Sequence, residues 1–222
     1  MPKHLYKRVA VVLILITTLF LWFFTGPTRS EAGIWFFHKT TPQKIVKKKT
    51  PKKIVKKKTP KKTMLDITPI SQFPELPTGC EITAVAMLLD YRSVDMSKTE
   101  VADSIPYVND GDMEVGFWGN PYDDTGYTMY PPAWTGFFYQ YLGSFTDLSD
   151  EPISTLKATL KQKKPIVAWI NYHKQPAHSV LLIGYDQNSF TFNDPYTGKR
   201  KKISFDKFWK IAAPQGHRAM TY

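Results

Sequence analysis

Residues 72–92 read Gln72-Phe-Pro-Glu-Leu-Pro-Thr-Gly-Cys80-Glu81-Ile-Thr-Ala-Val-Ala-Met-Leu-Leu-Asp-Tyr-Arg92, a proline-punctuated approach to a stretch that is apolar almost all round. A helix with no polar face belongs in the centre of a core, so a central helix is predicted over Glu81–Arg92. Thr78 and Glu81, three apart, form the capping-box pattern of a helix start, which puts Cys80 in the first turn. Cys80 is the one cysteine of the chain. Peptide dipoles aligned at a helix start favour thiolate over thiol, the setting of a nucleophilic cysteine. Free cysteine is also among the most buried residue types, so position alone leaves an inert core thiol equally open.

Downstream, Ser97-Lys-Thr-Glu100 is a second capping box, opening a short helix that ends before Pro106. Gly111–Trp134 is rich in Gly, Pro, Asp and aromatics without a sustained period and reads as a long ordered loop, a kind that is commonly functional. A helix is expected near Ile153–Lys161. Strands are expected over Pro165–Asn171, His178–Tyr185 and Ser189–Asn193, divided by turn signals at Gln175-Pro176 and Asp186–Asn188. Lys199–Ile203 and His217–Tyr222 read as further strands flanking a short Phe205–Ile211 helix. Helices first and then an antiparallel sheet is an α+β layout.

Upstream, the charge separates. Residues 1–63 hold sixteen Lys/Arg against the single acid Glu31, whereas residues 64–222 hold fourteen against eighteen Asp/Glu, so the net charge of +11 belongs to the first segment. A basic chain ordinarily suggests nucleic acid, but here the folded part is mildly acidic and nucleic acid is not an expected partner. After a basic tip at residues 1–8, residues 9–26 form an apolar run ending in Trp22, Phe23 and Phe24. Its length approaches a membrane span, and the aromatics suit an interface. Ser30-Glu31-Ala32 fits a signal-peptide cleavage site loosely, so anchor and cleaved signal compete and the anchor is favoured. Lys3, Lys7 and Arg8 put that end inside and everything after the span outside. The domain is expected on the cell surface, or secreted if the segment is removed.

Residues 27–63 carry a nine-residue repeat, Lys-Ile-Val-Lys-Lys-Lys-Thr-Pro-Lys over 44–52 and again over 53–61. Self-repelling charge and Thr-Pro steps make this an extended solvated linker. Lys44–Lys62 reads either as a plain spacer or as a contact to anionic wall polymer or lipid headgroups. The domain proper is expected over residues 64–222, as a monomer.

A cysteine nucleophile needs a base, and the base needs a third group to fix its tautomer. His178 opens one expected strand and Asp194 ends the next. Joined by the tight turn Asp186–Asn188, the two strands run antiparallel, which brings His178 and Asp194 to one sheet edge. Gln72, eight residues before Cys80, could donate to an oxyanion together with the Cys80 N–H. Each residue alone has an ordinary explanation, and the conjunction carries the reading. His173 and His217 are rival bases without an acid so evidently beside them.

These residues carry a resemblance. Gln72–Glu81, Gly116-Phe-Trp-Gly-Asn-Pro-Tyr122, Ala177-His178-Ser-Val-Leu-Leu-Ile-Gly184-Tyr185 and Asn193-Asp194-Pro195 together resemble the stand-alone C39-like cysteine peptidases, papain-like relatives of the double-glycine leader peptidases. The resemblance covers residues 66–222. It implies a papain-like fold with Cys80 as nucleophile, His178 as general base and acid, Asp194 as orienter and Gln72 as oxyanion donor, acting on a peptide or protein without metal or cofactor. Gly79, Trp118, Tyr122 and Tyr130 are the expected substrate contacts, with the aromatic loop either walling a groove or packing on the core. The leader peptidases' substrate does not carry over, since neither a transporter helix bundle nor a phosphate-binding loop follows. A murein amidase or endopeptidase of another papain-like branch is the rival enzyme. A non-catalytic surface protein that binds anionic polymer is the rival of another class.

Overall fold

The computed structural model describes residues 62–222; the apolar run at 9–26 and the Lys/Thr/Pro repeat at 44–61 lie outside the described residues. Among those described, no helix is long and apolar enough to cross a membrane.

The central helix α1 spans Cys80–Tyr91, and every residue from Cys80 to Leu89 is buried. Its apolar circumference is matched by partners on several sides: α1 packs on α2 (Lys98–Ser104) and on the strands β5 (Ile166–Tyr172) and β6 (Gln175–Tyr185). Each fully buried Leu, Ile or Met there contributes about 1.5–3 kcal/mol. Its start departs from the expected capping box. Gly79 is the N-cap and no side chain caps it, because Thr78 donates its hydroxyl to the Asn120 and Asp123 carbonyls and the Glu81 side chain turns into the core. The second box forms as expected, with Ser97 and Glu100 satisfying each other's backbone N–H at the start of α2.

The sheet has seven strands in the order β4-β9-β5-β6-β7-β8, with β1 (Thr63–Met64) pairing the far end of β6, Thr63 opposite Tyr185. β7 spans Ser189–Asp194, β8 Lys199–Ser204, β4 Thr146–Asp147 and β9 Ala219–Thr221, and all pairings are antiparallel. β5 reads as a continuous apolar run because both its faces are covered. β8 forms the opposite extreme. Its Lys199-Arg-Lys-Lys run keeps an outer strand charged, which discourages edge-to-edge pairing. With α4 (Ile153–Lys161) against β6 and α5 (Phe205–Ala212) against β5, the fold is α+β.

Three local expectations are corrected. The β5–β6 turn is not at Gln175-Pro176 but at His173 and Lys174, both at positive φ (54° and 63°), the conformation a two-residue hairpin turn demands. β6 therefore begins at Gln175, and His178 lies inside the strand opposite Ile170. The Gly111–Trp134 stretch is not wholly irregular: Phe117–Trp118 (β3) pairs in parallel with Tyr107–Val108 (β2), and a 3-10 turn at Pro131–Trp134 leads into α3 (Thr135–Leu142), a helix the sequence did not announce. The last strand, β9, starts at Ala219, leaving His217 in the connection before it.

Candidate active site

Cys80 is the first residue of α1 and only 4 % exposed. Its Sγ donates to Glu81 Oε2 at 3.2 Å and accepts the backbone N–H of Ser179 at 3.3 Å. Burial first, and then the Glu81 carboxylate, push the thiol well above its ordinary range, while the Ser179 N–H acts the other way. The lowered thiol expected from the helix start is thus overturned in this arrangement, because desolvation and an adjacent carboxylate outweigh the dipole.

His178 precedes Ser179 on β6 and is wholly buried. Its Nε2 lies 2.9 Å from Asp194 Oδ1, the last residue of β7, as the antiparallel pairing of the two strands predicts. The other ring nitrogen, Nδ1, is buried without a hydrogen-bond partner. Burial drives the imidazole below its usual range, opposed by the Asp194 carboxylate.

Asp194 is the most heavily engaged carboxylate at the site. Oδ1 also accepts the Tyr196 N–H, and Oδ2 accepts from His173 Nε2, the Thr197 hydroxyl and the Lys201 ammonium, each at 2.8 Å. Burial raises its carboxyl, but His178, Lys201 and His173 together hold it far below the usual carboxylate range. His173 is therefore not without an acid, as the sequence suggested, but shares that of His178 from the hairpin tip. His217 is placed elsewhere: its ring stacks on Trp209 at 3.7 Å, with Nε2 on the Trp209 carbonyl. His173, His178 and Asp194 bring ligand-type atoms within 4.8 Å of one another. With the Lys201 ammonium already on Asp194, the donor set reads as an ion-pair network and does not fit a metal.

Cys80 opens onto a cleft of about 120 Å³. It is lined by Gln72, Pro77 and Thr78 from the approach to α1, by Gly126 and Tyr127, and by Gln175, Pro176 and Ala177 at the start of β6. Gln72 is buried. Its Nε2 donates to the Pro77 carbonyl at 2.6 Å and its Oε1 has no partner. Of the expected substrate contacts, none lines this cleft. Gly79 caps α1, with no room for a side chain beside Leu76. Trp118 is exposed and packs edge-on to Tyr127. Tyr122 bonds to Asp103. Tyr130 is buried beneath the Arg218 guanidinium, 3.8 Å from its ring. The aromatic loop divides accordingly, with Phe117 and Trp134 in the core and Tyr127 at the cleft.

Sequence reasoning missed Lys201 and Gly126, took Glu81 for a capping residue, named His173 only as a rival base and Tyr127 only among the aromatics of the loop. Glu81 accepts the Thr128 hydroxyl and the Met129 N–H on Oε1, and Thr128 in turn accepts Trp169 Nε1. A buried glutamate in an apolar helix was the one available signal, since such a residue must find partners.

A cysteine at the start of a buried helix and a histidine–carboxylate pair on adjacent strands of an antiparallel sheet stand together in this α+β domain. The model of the Peptidase_C39 like family matches residues 64–217, and the chain belongs to that family. It is 28 % identical over 183 residues to the Bacillus subtilis (strain 168) protein YvpB, itself uncharacterized, covering 68 % of this chain and 73 % of that one. A crystal structure from Bacillus anthracis, assigned as a C39-like peptidase, superposes with a TM-score of 0.66 at 29 % identity, covering 72 % of this chain and 96 % of the other.

Proposed function

We propose that the protein is a cysteine peptidase in which Cys80 is the nucleophile, His178 the general base and acid, and Asp194 the orienter. The observation that carries this reading is the buried His178–Asp194 pair, with Nδ1 left free and the following residue donating to the Cys80 sulfur. The step is a proton moving from Sγ to His178 Nδ1 as sulfur attacks the carbonyl carbon, with the imidazolium then protonating the leaving amine. Water cleaves the thioester that remains. The Cys80 N–H and a Gln72 N–H are the groups proposed to receive the oxyanion. The apolar run at 9–26 and its flanking charges support a membrane-tethered domain facing outward, on a lysine-rich spacer.

The test is the rate of Cys80 alkylation by iodoacetamide against pH on the full chain, wild type beside His178→Ala, together with hydrolysis of a mixed peptide pool. A midpoint that rises when His178 is removed, with hydrolysis lost in both Cys80→Ala and His178→Ala, is expected. A thiol indifferent to His178 and no peptide cleavage would overturn the reading in favour of a binding protein.

A further inference from the structure

The thiol and the imidazole are not engaged with one another. Cys80 Sγ, a donor to Glu81 and an acceptor from Ser179, has its hydrogen bonds made, while the buried His178 Nδ1 has none. The two oxygens of Glu81 are occupied unequally. Oε1 is fixed by Thr128 and Met129, whereas among the described residues Oε2 bonds to nothing but the Cys80 thiol. A buried carboxylate oxygen with a single partner holds that partner firmly, because releasing it leaves an acceptor unsatisfied. Among the described residues the titratable groups facing Sγ are Glu81 from α1, His178 from β6 with Asp194 behind it on β7, and Tyr127 from the loop lining the cleft.

Resting on the peptidase reading above, we propose that Glu81 is a positioning residue that parks the Cys80 thiol away from His178, so that the thiol must turn from one to the other before attack. In the parked state the S–H bond is intact and aimed at Oε2. Turning about the Cα–Cβ bond of Cys80 breaks that hydrogen bond and offers the proton to His178 Nδ1, where the S–H bond breaks, an N–H bond forms, and the thiolate–imidazolium pair results. The resting site is thereby kept as a neutral, poorly nucleophilic thiol.

Glu81→Gln tests this, because Gln Oε1 can still accept from Thr128 and Met129 while its amide NH₂ can no longer receive the thiol proton. In the full chain, the midpoint of Cys80 alkylation by iodoacetamide should fall by at least about one pH unit, about tenfold more thiolate at a fixed pH below it. The part of that fall due to the lost Glu81 charge should remain in Glu81→Gln/His178→Ala, and the rest should disappear with His178. A midpoint unmoved or raised by Glu81→Gln overturns the parking, as does a fall of equal size with and without His178. If His178→Ala alone changes nothing, it is the peptidase reading that fails. Should Glu81→Gln not fold, the Glu81 carboxyl, followed by ¹³C NMR, should titrate at higher pH in Cys80→Ala than in wild type, since its Oε2 loses a donor. A carboxyl indifferent to the thiol overturns the proposal.

Discussion

Ser179 donates its backbone N–H to the Cys80 sulfur at 3.3 Å across ninety-nine positions of sequence, tying the start of α1 to the middle of β6. This contact makes the site a property of the helix–sheet packing and not of either element alone. The His178–Asp194 pair is fixed by strand register, while Cys80 is fixed by the burial of an entire helix. Disturbing either layer should disturb the chemistry.

Acid should unfold the domain in two limbs. The His178 imidazole is held below its usual value by burial, against the pull of Asp194. Its contribution is therefore complete above about pH 6.5 and is lost as pH falls towards the lowered folded value. Asp194 is also held low, by His178, Lys201 and His173 against its burial, so its contribution is complete above about pH 4 and drains away below that. Each limb should lose up to about 1.4 kcal/mol per pH unit in urea midpoints. His178→Gln should abolish the upper limb and keep the lower, and a single limb in wild type would contradict this.

The pairing behind these limbs was legible, because alternating β-rich runs around Asp186–Asn188 place His178 and Asp194 on neighbouring strands whatever else the fold does. The partners of Asp194 were not. Reading Pro176 as the break put the turn two residues late, and so hid the hairpin tip that carries His173 to the same carboxylate. Lys201 stands in the basic run Lys199–Lys202, where nothing in the sequence sets it apart. The Thr78–Glu81 spacing matched a capping box, but a local pattern lost to tertiary demand once Thr128 and Met129 offered Glu81 a buried site. α3 escaped notice because Gly136, Phe137, Phe138 and Tyr139 are modest helix formers, and the packing of Phe137 and Phe138 against Trp134 supplies what propensity does not.

Lys201 should matter to stability only while Asp194 is charged. Its ammonium, part-exposed, lies 2.8 Å from Oδ2. Lys201→Met should therefore cost about 1–2 kcal/mol at pH 7. The gap between wild type and variant should narrow as pH falls from about 4 to 2, because the Asp194 carboxyl of the variant, without the ammonium, takes up its proton before that of wild type. Parallel curves down to that pH would mean the lysine acts through packing of its stem instead. Comparing denaturant midpoints from pH 7 to 2 decides between them.

Thr128→Val should reveal how the cleft wall is held. Thr128 gives its hydrogen to Glu81 Oε1 and accepts from Trp169 Nε1, so the isosteric change leaves a buried acceptor short of a donor and strands a buried indole N–H. Two such losses suggest about 2–5 kcal/mol, read as a lower urea midpoint with an unchanged slope. Gly126→Ala attacks the same wall sterically, since an added Cβ meets the Asn120 carbonyl oxygen and the Thr78 hydroxyl. Crowding of that kind typically costs about 1–3 kcal/mol.

Gln72→Ala should separate reactivity of the thiol from turnover. Gln72 lines the cleft, and among the described residues its side chain bonds to the Pro77 carbonyl and not to Cys80. If its amide serves the oxyanion, its removal leaves the Cys80 alkylation profile in place, because no oxyanion forms in that reaction. Peptide hydrolysis, which passes through a tetrahedral intermediate, should slow by about 10²–10³ in kcat. The alternative role is purely structural, fixing the Pro77 turn so that α1 starts where it does. In that case alkylation and hydrolysis would fall together, and Gln72→Glu, which can no longer donate to Pro77, would resemble Gln72→Ala in both measurements.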